Sequence, residues 1–246
     1  MSYKRVAALY DVHGNLPALE AVLAEVERED PDLVVFGGDL AAGWYPVEVL
    51  ERARALPKAR LVSGNCEREM ILFFDGQSEG RFELTTAAAR KLSQADRDFL
   101  AAFEPTVEVE IEGLGPVLFC HATPTSDEEV LTPLTPDADV EEALEGAPAV
   151  VVYGHVHVQG DRRLPAHRLV NAGAVGLAYG TSAACWALLG PDVELRQTPY
   201  DLDRAVPLLA AAPGWEGARK WAESRRHPPS AEEALQEFES QRKQRA

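Results

Sequence analysis

The alternation of short apolar runs with helix-like segments over the first 65 residues constrains the fold most strongly. Val6–Tyr10, Leu33–Phe36 and Arg60–Ser63 have the length and apolar character of buried strands. Between them, residues 16–26 and 47–55 carry apolar side chains at helical spacing. A strand–helix–strand–helix–strand order implies right-handed crossovers and a parallel sheet. The sequence therefore predicts an α/β fold.

Further elements follow less regularly. Residues 70–74 and 93–103 are predicted to be helical, and the Pro-containing segment 123–139 is predicted to be a long loop that could act as a lid. More strands are predicted at residues 106–112, 117–120, 149–153, 168–171, 183–189 and 193–197. From residue 201 the pattern is helical, and residues 231–243 are polar enough to predict an exposed helix.

Polar side chains stand directly after the predicted strands. In open α/β sheets, ligands bind at the carboxyl ends of strands. Two of these side chains form a His-x-His pair, which an extended backbone directs to one side. The potential ligands are Asp11, His13, Asp39, Asn65, His121, His155 and His157. We therefore predict that they form one metal-binding site, in which Asp39, Asn65 and His121 also serve catalysis.

The chemistry of this set suits a pair of divalent ions. Two carboxylates, four imidazoles and one amide are ligands for Mn, Fe, Zn or Ni. Two such ions bring four positive charges, and Asp11 and Asp39 neutralise only two of them. The residual charge would attract a phosphate ester, and a metal-bridging hydroxide would be the nucleophile.

The motifs resemble those of the calcineurin-like metallophosphoesterase family, in particular its small bacterial and archaeal phosphodiesterase branch. The resemblance covers about the first two hundred residues and includes a turn at residues 171–176. It rests on Asp11-x-His13, Gly38-Asp39, Gly64-Asn65, His121 and Gly154-His155-x-His157, in this order.

This resemblance implies a two-sheet β-sandwich flanked by helices. It also implies how the ligands are divided between the ions. Asp11, His13 and His157 would hold the first ion, and Asn65, His121 and His155 would hold the second. Asp39 would bridge both ions.

Two residues beside the ligands are candidates for substrate contact. Many family members carry histidine after Gly-Asn, whereas this chain has Cys66, a weaker hydrogen-bond donor with a higher reference pKa. The phosphodiesterase branch commonly has cysteine there. Asn15 follows the first motif and could touch substrate, but capping of the next helix explains it equally well.

The charge and composition of the chain restrict the classes of molecule that it is expected to bind. The net charge is −16, from 24 basic and 40 acidic residues, which argues against binding to polymeric nucleic acid. The three cysteines do not suggest a disulfide framework, and the sequence shows no membrane span or signal peptide. We therefore expect a cytoplasmic protein that acts on a small phosphate ester and contacts no membrane.

The sequence thus predicts a metal-dependent phosphoesterase, foremost a phosphodiesterase acting on small phosphodiesters. A phosphomonoesterase, or a non-catalytic scaffold of the same fold, remains the alternative. Residues 1–200 are predicted to form the metallophosphoesterase core, and residues 201–246 a helical extension packed on the same domain. Two roles stay open for that extension: shaping the pocket, or pairing subunits in a homo-oligomer.

Overall fold

Two β-sheets face each other and helices cover their outer sides in the computed structural model, which describes residues 2–245. The strands are β1 (Ser2–Tyr3), β2 (Val6–Leu9), β3 (Leu33–Phe36), β4 (Ala59–Leu61), β5 (Thr106–Ile111), β6 (Gly115–Cys120), β7 (Val150–Tyr153), β8 (Gly160–Arg163), β9 (Arg168–Asn171), β10 (Ala184–Leu189) and β11 (Val193–Thr198). The helices are α1 (Leu16–Glu29), α2 (Pro46–Arg54), α3 (Asn65–Phe74), α4 (Glu83–Ala89), α5 (Gln94–Ala101), α6 (Asp137–Ala143), α7 (Leu202–Ala210), α8 (Ala218–Glu223) and α9 (Ala231–Arg245).

The first sheet contains the parallel strands that the N-terminal pattern predicts. Its order is β11-β10-β2-β3-β4, with β2, β3 and β4 parallel and β10 antiparallel to β2. The second sheet has the order β1-β5-β6-β7-β9-β8, and β6, β7 and β9 are parallel within it. The predicted fold class, an α/β two-sheet sandwich flanked by helices, is confirmed.

The strands alternate their side chains between two apolar layers, which explains why β2 is apolar at every position. Ala7 and Leu9 pack beneath the helices, whereas Val6 and Ala8 pack between the sheets. Tyr10 continues the inner layer, and its hydroxyl donates a hydrogen bond of 2.9 Å to the Val152 carbonyl oxygen in β7. This contact holds the ends of β2 and β7 together.

Helix α1 begins where its sequence predicts. The Asn15 side chain accepts a hydrogen bond from the Ala18 N–H at 3.2 Å, and Pro17 lies in the first turn, where its missing N–H costs nothing. Its buried side chains are Ala18, Leu19, Val22, Leu23 and Val26. The helix thereby covers the first sheet and fixes the direction in which the chain leaves the first motif.

Several local predictions differ from the structure. Helix α3 begins at Asn65 rather than near residue 70, because Gly64 ends the extended segment and Glu67 accepts the Gly64 N–H. The predicted loop 123–139 ends early, at the start of α6. The sequence did not predict α4, α6, β1 and β8, which are short and lack a long periodic pattern.

The prediction of an exposed last helix is only partly right. Ala234 and Glu239 of α9 are buried, and Phe238 packs against the apolar cluster around β6 and β7. The chain between residues 202 and 215 also contacts the core, since Leu209 of α7 and Trp215 after it pack with Trp44. The predicted domain boundary at residue 200 stays a prediction. Among the described residues, no helix combines the length and apolar character needed to cross a membrane.

Candidate metal centre

The loops that follow β2, β3, β6 and β7, together with the start of α3, meet at one edge of the sandwich. Each carries one or two of the seven predicted ligands. Asp11 and His13 come after β2, and His155 and His157 come after β7. Both sheets therefore contribute to the same site, which is joined by hydrogen bonds and ion pairs between side chains far apart in sequence.

Three ligands form a tight first cluster. Asp11, His13 and His157 each place a potential ligand atom within 4.8 Å of the others. The Nε2 atoms of the two histidines lie 3.2 Å apart, and His157 Nε2 lies 3.2 Å from Asp11 Oδ1.

The hydrogen bonds of the His13 and His157 rings show which nitrogen of each ring carries a proton. His13 Nδ1 lies 3.2 Å from the Ala42 carbonyl oxygen, and His157 Nδ1 lies 3.1 Å from that of Leu177. Because a carbonyl oxygen can only accept, each Nδ1 donates, and Nε2 is the nitrogen of each ring that faces the cluster. Asp11 Oδ1 is buried and has no hydrogen-bond partner among the described residues. Two imidazole nitrogens and one carboxylate oxygen thus converge where a cation could bind them.

A second cluster lies beside the first. His121 Nδ1 donates to the Gly37 carbonyl oxygen at 2.9 Å, and its Nε2 faces Asn65 Oδ1 at 3.2 Å and Asp39 Oδ1 at 3.5 Å. The His155 ring lies 5.2 Å from the His121 ring, between centroids, and the His155 N–H donates to Asp11 Oδ2 at 3.0 Å.

Asp39 lies between the two clusters. Its Oδ2 is 3.7 Å from His13 Nε2, whereas its Oδ1 is 3.5 Å from His121 Nε2. Each oxygen of one carboxylate therefore faces a different group of ligands, as the proposed bridging role requires.

The backbone at the ligands is unusual. Asp11, His13, Asp39, His155 and His157 all have φ between 50° and 64°, in the left-handed region. Residues with a Cβ adopt this conformation rarely and at a cost of about 1–3 kcal/mol each, and such residues cluster at functional sites. The fold holds five ligand residues in this state, which turns their side chains toward one another.

Two glycines allow the carboxylates to approach the backbone closely. A Cβ on Gly64 would lie 2.3 Å from Asp39 Oδ1, and one on Gly154 would lie 2.4 Å from Asp11 Oδ2. Both distances are too short for a carbon atom, so these two positions of the predicted motifs need glycine.

Comparison with known proteins agrees with the fold. Residues 5–192 match the model of the calcineurin-like phosphoesterase superfamily domain. The chain belongs to this family. Membership implies a phosphate ester hydrolase, and the family binds divalent metal ions. No protein of curated function gave a significant match.

Solved structures with the same fold come from archaea and bacteria. The hypothetical protein PH1004 from Pyrococcus horikoshii OT3 has a TM-score of 0.75 and 21% identity, covering 89% of this chain and 97% of its own. A metallophosphoesterase from Sphaerobacter thermophilus has a TM-score of 0.69 and 22% identity, with coverages of 90% and 99%. Yfce, a phosphoesterase from E. coli, has a TM-score of 0.51 and 21% identity, with coverages of 80% and 100%.

The two residues predicted to touch substrate make hydrogen bonds inside this phosphoesterase. Asn15 is buried and, besides capping α1, its Nδ2 donates to the Gly176 carbonyl oxygen at 2.9 Å. Cys66 is also buried, and its thiol donates to Asp39 Oδ2 at 3.0 Å. Burial and the charge of Asp39 raise the pKa of this thiol, so it stays protonated. The structure therefore places Cys66 against the Asp39 carboxylate.

Sequence reasoning missed the part played by Glu67. Its buried carboxylate accepts hydrogen bonds from the N–H groups of Asp39 (2.7 Å), Leu40 (2.8 Å), Ala41 (3.4 Å) and Gly64 (2.9 Å). Burial and the charge of Asp39 raise the pKa of Glu67 to about 7. The residue ties the loop that carries Asp39 to the start of α3. Its position in Gly-Asn-Cys-Glu was the available signal, but a helix-terminal glutamate is too common to stand out.

The environment lowers the pKa of some side chains in the cluster and raises that of others. Burial lowers the pKa of His13 and of His155 to about 4, so both rings are neutral at pH 7. Burial acts in the same direction on His121, but the charges of Asp39 and Asp11 outweigh it and raise the pKa of this ring. Neighbouring histidines likewise outweigh burial at the two aspartates and lower the pKa of both carboxyl groups.

We expect divalent ions to displace protons from this site. Glu67, whose pKa is raised to about 7, holds part of a proton near pH 7, and the raised pKa of His121 favours its protonated form, whereas a nearby cation favours the deprotonated form of both. Mn²⁺ binding at pH 7 should therefore release protons, and the affinity should rise with pH through neutrality. Calorimetric titration in two buffers of different ionisation enthalpy measures this release.

His121→Asn should reduce the proton release, whereas His167→Asn should not. His167 pairs with Glu141 away from the cluster, so it provides the matched substitution. Identical heats in both buffers for the wild-type protein would contradict the expected release.

Proposed function

We propose that this phosphoesterase is a phosphodiesterase that hydrolyses small phosphodiesters with two divalent ions. The observation that carries the proposal is the convergence of two groups of potential ligand atoms on the two oxygens of Asp39. In this assignment Asp11, His13 and His157 hold one ion, and Asn65, His121 and His155 hold the other. The nitrogen and oxygen donors suit Mn, Fe, Zn or Ni.

Bound ions would supply positive charge for the phosphoryl oxygens and a water molecule whose pKa falls to about 7. The chain itself contributes the orientation of the ligands. The carbonyl groups of Ala42, Leu177 and Gly37 fix the three rings that donate to them, so those rings need no reorganisation when substrate binds.

A cavity beside His121 supports a substrate of small-molecule size. It has a volume of about 550 Å³, within the range of ligand pockets, and its walls include Leu100, Phe103 and Arg68. Arg68 is paired with Asp127 at 2.8 Å, so this wall is not a free cationic track. Together with the net charge of −16, this favours a small ester over a polymeric nucleic acid.

The test is hydrolysis of bis-p-nitrophenyl phosphate by the Mn²⁺-supplemented protein. We expect wild-type activity, and a loss on the order of 10² or more in His155→Ala because one ion loses a ligand. His167→Ala is the matched control and should keep full activity. Equal activity in wild type and His155→Ala would refute the assignment. Faster hydrolysis of p-nitrophenyl phosphate than of the diester would identify a phosphomonoesterase instead.

A further inference from the structure

The C-terminal helices reach the metal centre from outside the part of the chain that matches the family. The family match ends at residue 192, whereas Phe238 lies on α9 and Arg225 follows α8. Both approach the segment Leu177–Tyr179, which neighbours His157. This extension therefore adds side chains to the centre that the family motifs do not include.

Aromatic rings form a continuous row along the edge of the centre. The Tyr179 ring stacks on His157, with centroids 5.6 Å apart and planes inclined by 21°. The Phe238 ring lies 6.3 Å from Tyr179 and also 6.3 Å from His155. Tyr179 and Phe238 together thus flank both histidines of the His-x-His pair.

Hydrogen bonds fix the two segments that carry the Tyr179 and Phe238 rings. Arg225 donates to the Ala178 carbonyl oxygen at 3.1 Å, and the Tyr179 N–H donates to the His157 carbonyl oxygen at 3.1 Å. On α9, Glu239 accepts hydrogen bonds of 2.6 Å from the hydroxyl groups of Thr132 and Thr135. The rings therefore keep their positions without substrate, which reduces the entropy lost on binding.

The exposure of the rings differs from that of the metal ligands beside them. His13, His121 and His157 are buried, whereas Tyr179, Phe238 and His155 are half-buried. These three residues are thus partly open to solvent beside the buried metal ligands. Stacking of a flat ring on an aromatic side chain improves binding by about tenfold or more.

We propose that Tyr179 and Phe238 form an aromatic wall that selects phosphoesters carrying a planar aromatic substituent. The inference rests on the proposed function, since it assigns the substituent of the ester that the metal centre would bind. Both residues are specificity-determining rather than catalytic, because they touch the organic group and not the reacting atoms. The shared chemistry is a flat ring, either a simple aryl group or a nucleobase.

The test compares ligands that differ only in the ring. Phenylphosphonate and methylphosphonate are titrated into the full-length, Mn²⁺-loaded protein by calorimetry. We expect phenylphosphonate to bind about tenfold more tightly to wild type. Phe238→Leu keeps an apolar side chain but no ring and should reduce the ratio to about twofold, whereas Phe238→Tyr should retain it. Adenosine 5′-monophosphate against ribose 5-phosphate repeats the comparison for a nucleobase.

Phe99→Leu is the matched control, since Phe99 is a half-buried phenylalanine on α5 that is not part of the row. It should leave the ratio unchanged. Tyr179→Leu tests the same wall if Phe238→Leu does not fold. Equal affinity of wild type for both phosphonates would overturn the inference, as would an unchanged ratio in either leucine variant of the wall. Loss of the ratio in Phe238→Tyr or in Phe99→Leu would overturn it as well.

These titrations need no turnover, so the two proposals can fail separately. Hydrolysis of the diester without a preference for the phenyl ligand would refute the aromatic wall alone. A preserved preference in a protein that hydrolyses neither ester would refute the proposed function alone.

Discussion

Asp39→Asn is expected to abolish hydrolysis of bis-p-nitrophenyl phosphate, with a loss on the order of 10³ or more in kcat/KM. The substitution keeps the shape of the side chain but removes the charge that two cations would share. It also replaces one ligand oxygen by an NH₂ group, which has no lone pair for a metal. Mn²⁺ stoichiometry, measured by calorimetry, should fall below two.

The metal-free Asp39→Asn protein should remain folded. Asp39 is a buried carboxylate near Asp11 and Glu67, so removal of its charge relieves repulsion in the apo state. Asp203→Asn is the matched control, because the Asp203 side chain is 90% exposed and far along the chain on α7. A variant that retains both ions and wild-type kcat/KM would exclude Asp39 as the bridging ligand.

Gly176→Ala is expected to destabilise the protein by about 3 kcal/mol, or roughly 10 °C in Tm. A Cβ at Gly176 would lie 1.8 Å from the Val12 carbonyl oxygen and 2.6 Å from its carbon. Both are backbone atoms, so no change of rotamer can relieve the collision. The Gly176 N–H also donates to the Asp11 carbonyl oxygen at 3.0 Å, so any relief moves the first motif.

Gly160→Ala is the matched control for this substitution. Gly160 lies at the start of β8, where a Cβ would meet nothing within 4 Å. The thermal midpoint of the Gly160→Ala variant should stay within about 2 °C of that of the wild-type protein. A Gly176→Ala protein as stable as Gly160→Ala would show that the Val12 segment can shift freely, contrary to its tight packing.

The candidate metal ligands could be predicted from the sequence because strand periodicity and strand ends are local features. Apolar runs of four to five residues predicted β2 and β3, and the polar residues after them had to leave the sheet at one edge. The structure places Asp11 and Asp39 there, next to His157 and His121. Their roles toward metal ions stay predictions.

The short elements and the long-range contacts could not be predicted from the sequence. Helix α4 has seven residues, too few for a periodic pattern, and β8 is a four-residue strand that reads Gly-Asp-Arg-Arg. The polar composition of α9 predicted an exposed helix, but one phenylalanine and one buried glutamate anchor it to the core. Such anchoring depends on partners that are distant in sequence, such as Thr132, which lies 107 residues before Glu239.

The sequence by itself determined the fold class, the family and the residues that gather at the sheet edge, because these follow from local patterns and short motifs. Only the tertiary structure decided how the site is organised. The left-handed backbone at five ligand residues, the three N–H groups of residues 39–41 around Glu67 and the contact of Phe238 with His155 all depend on distant segments. No local pattern encodes them, since packing selects these conformations against their local preference.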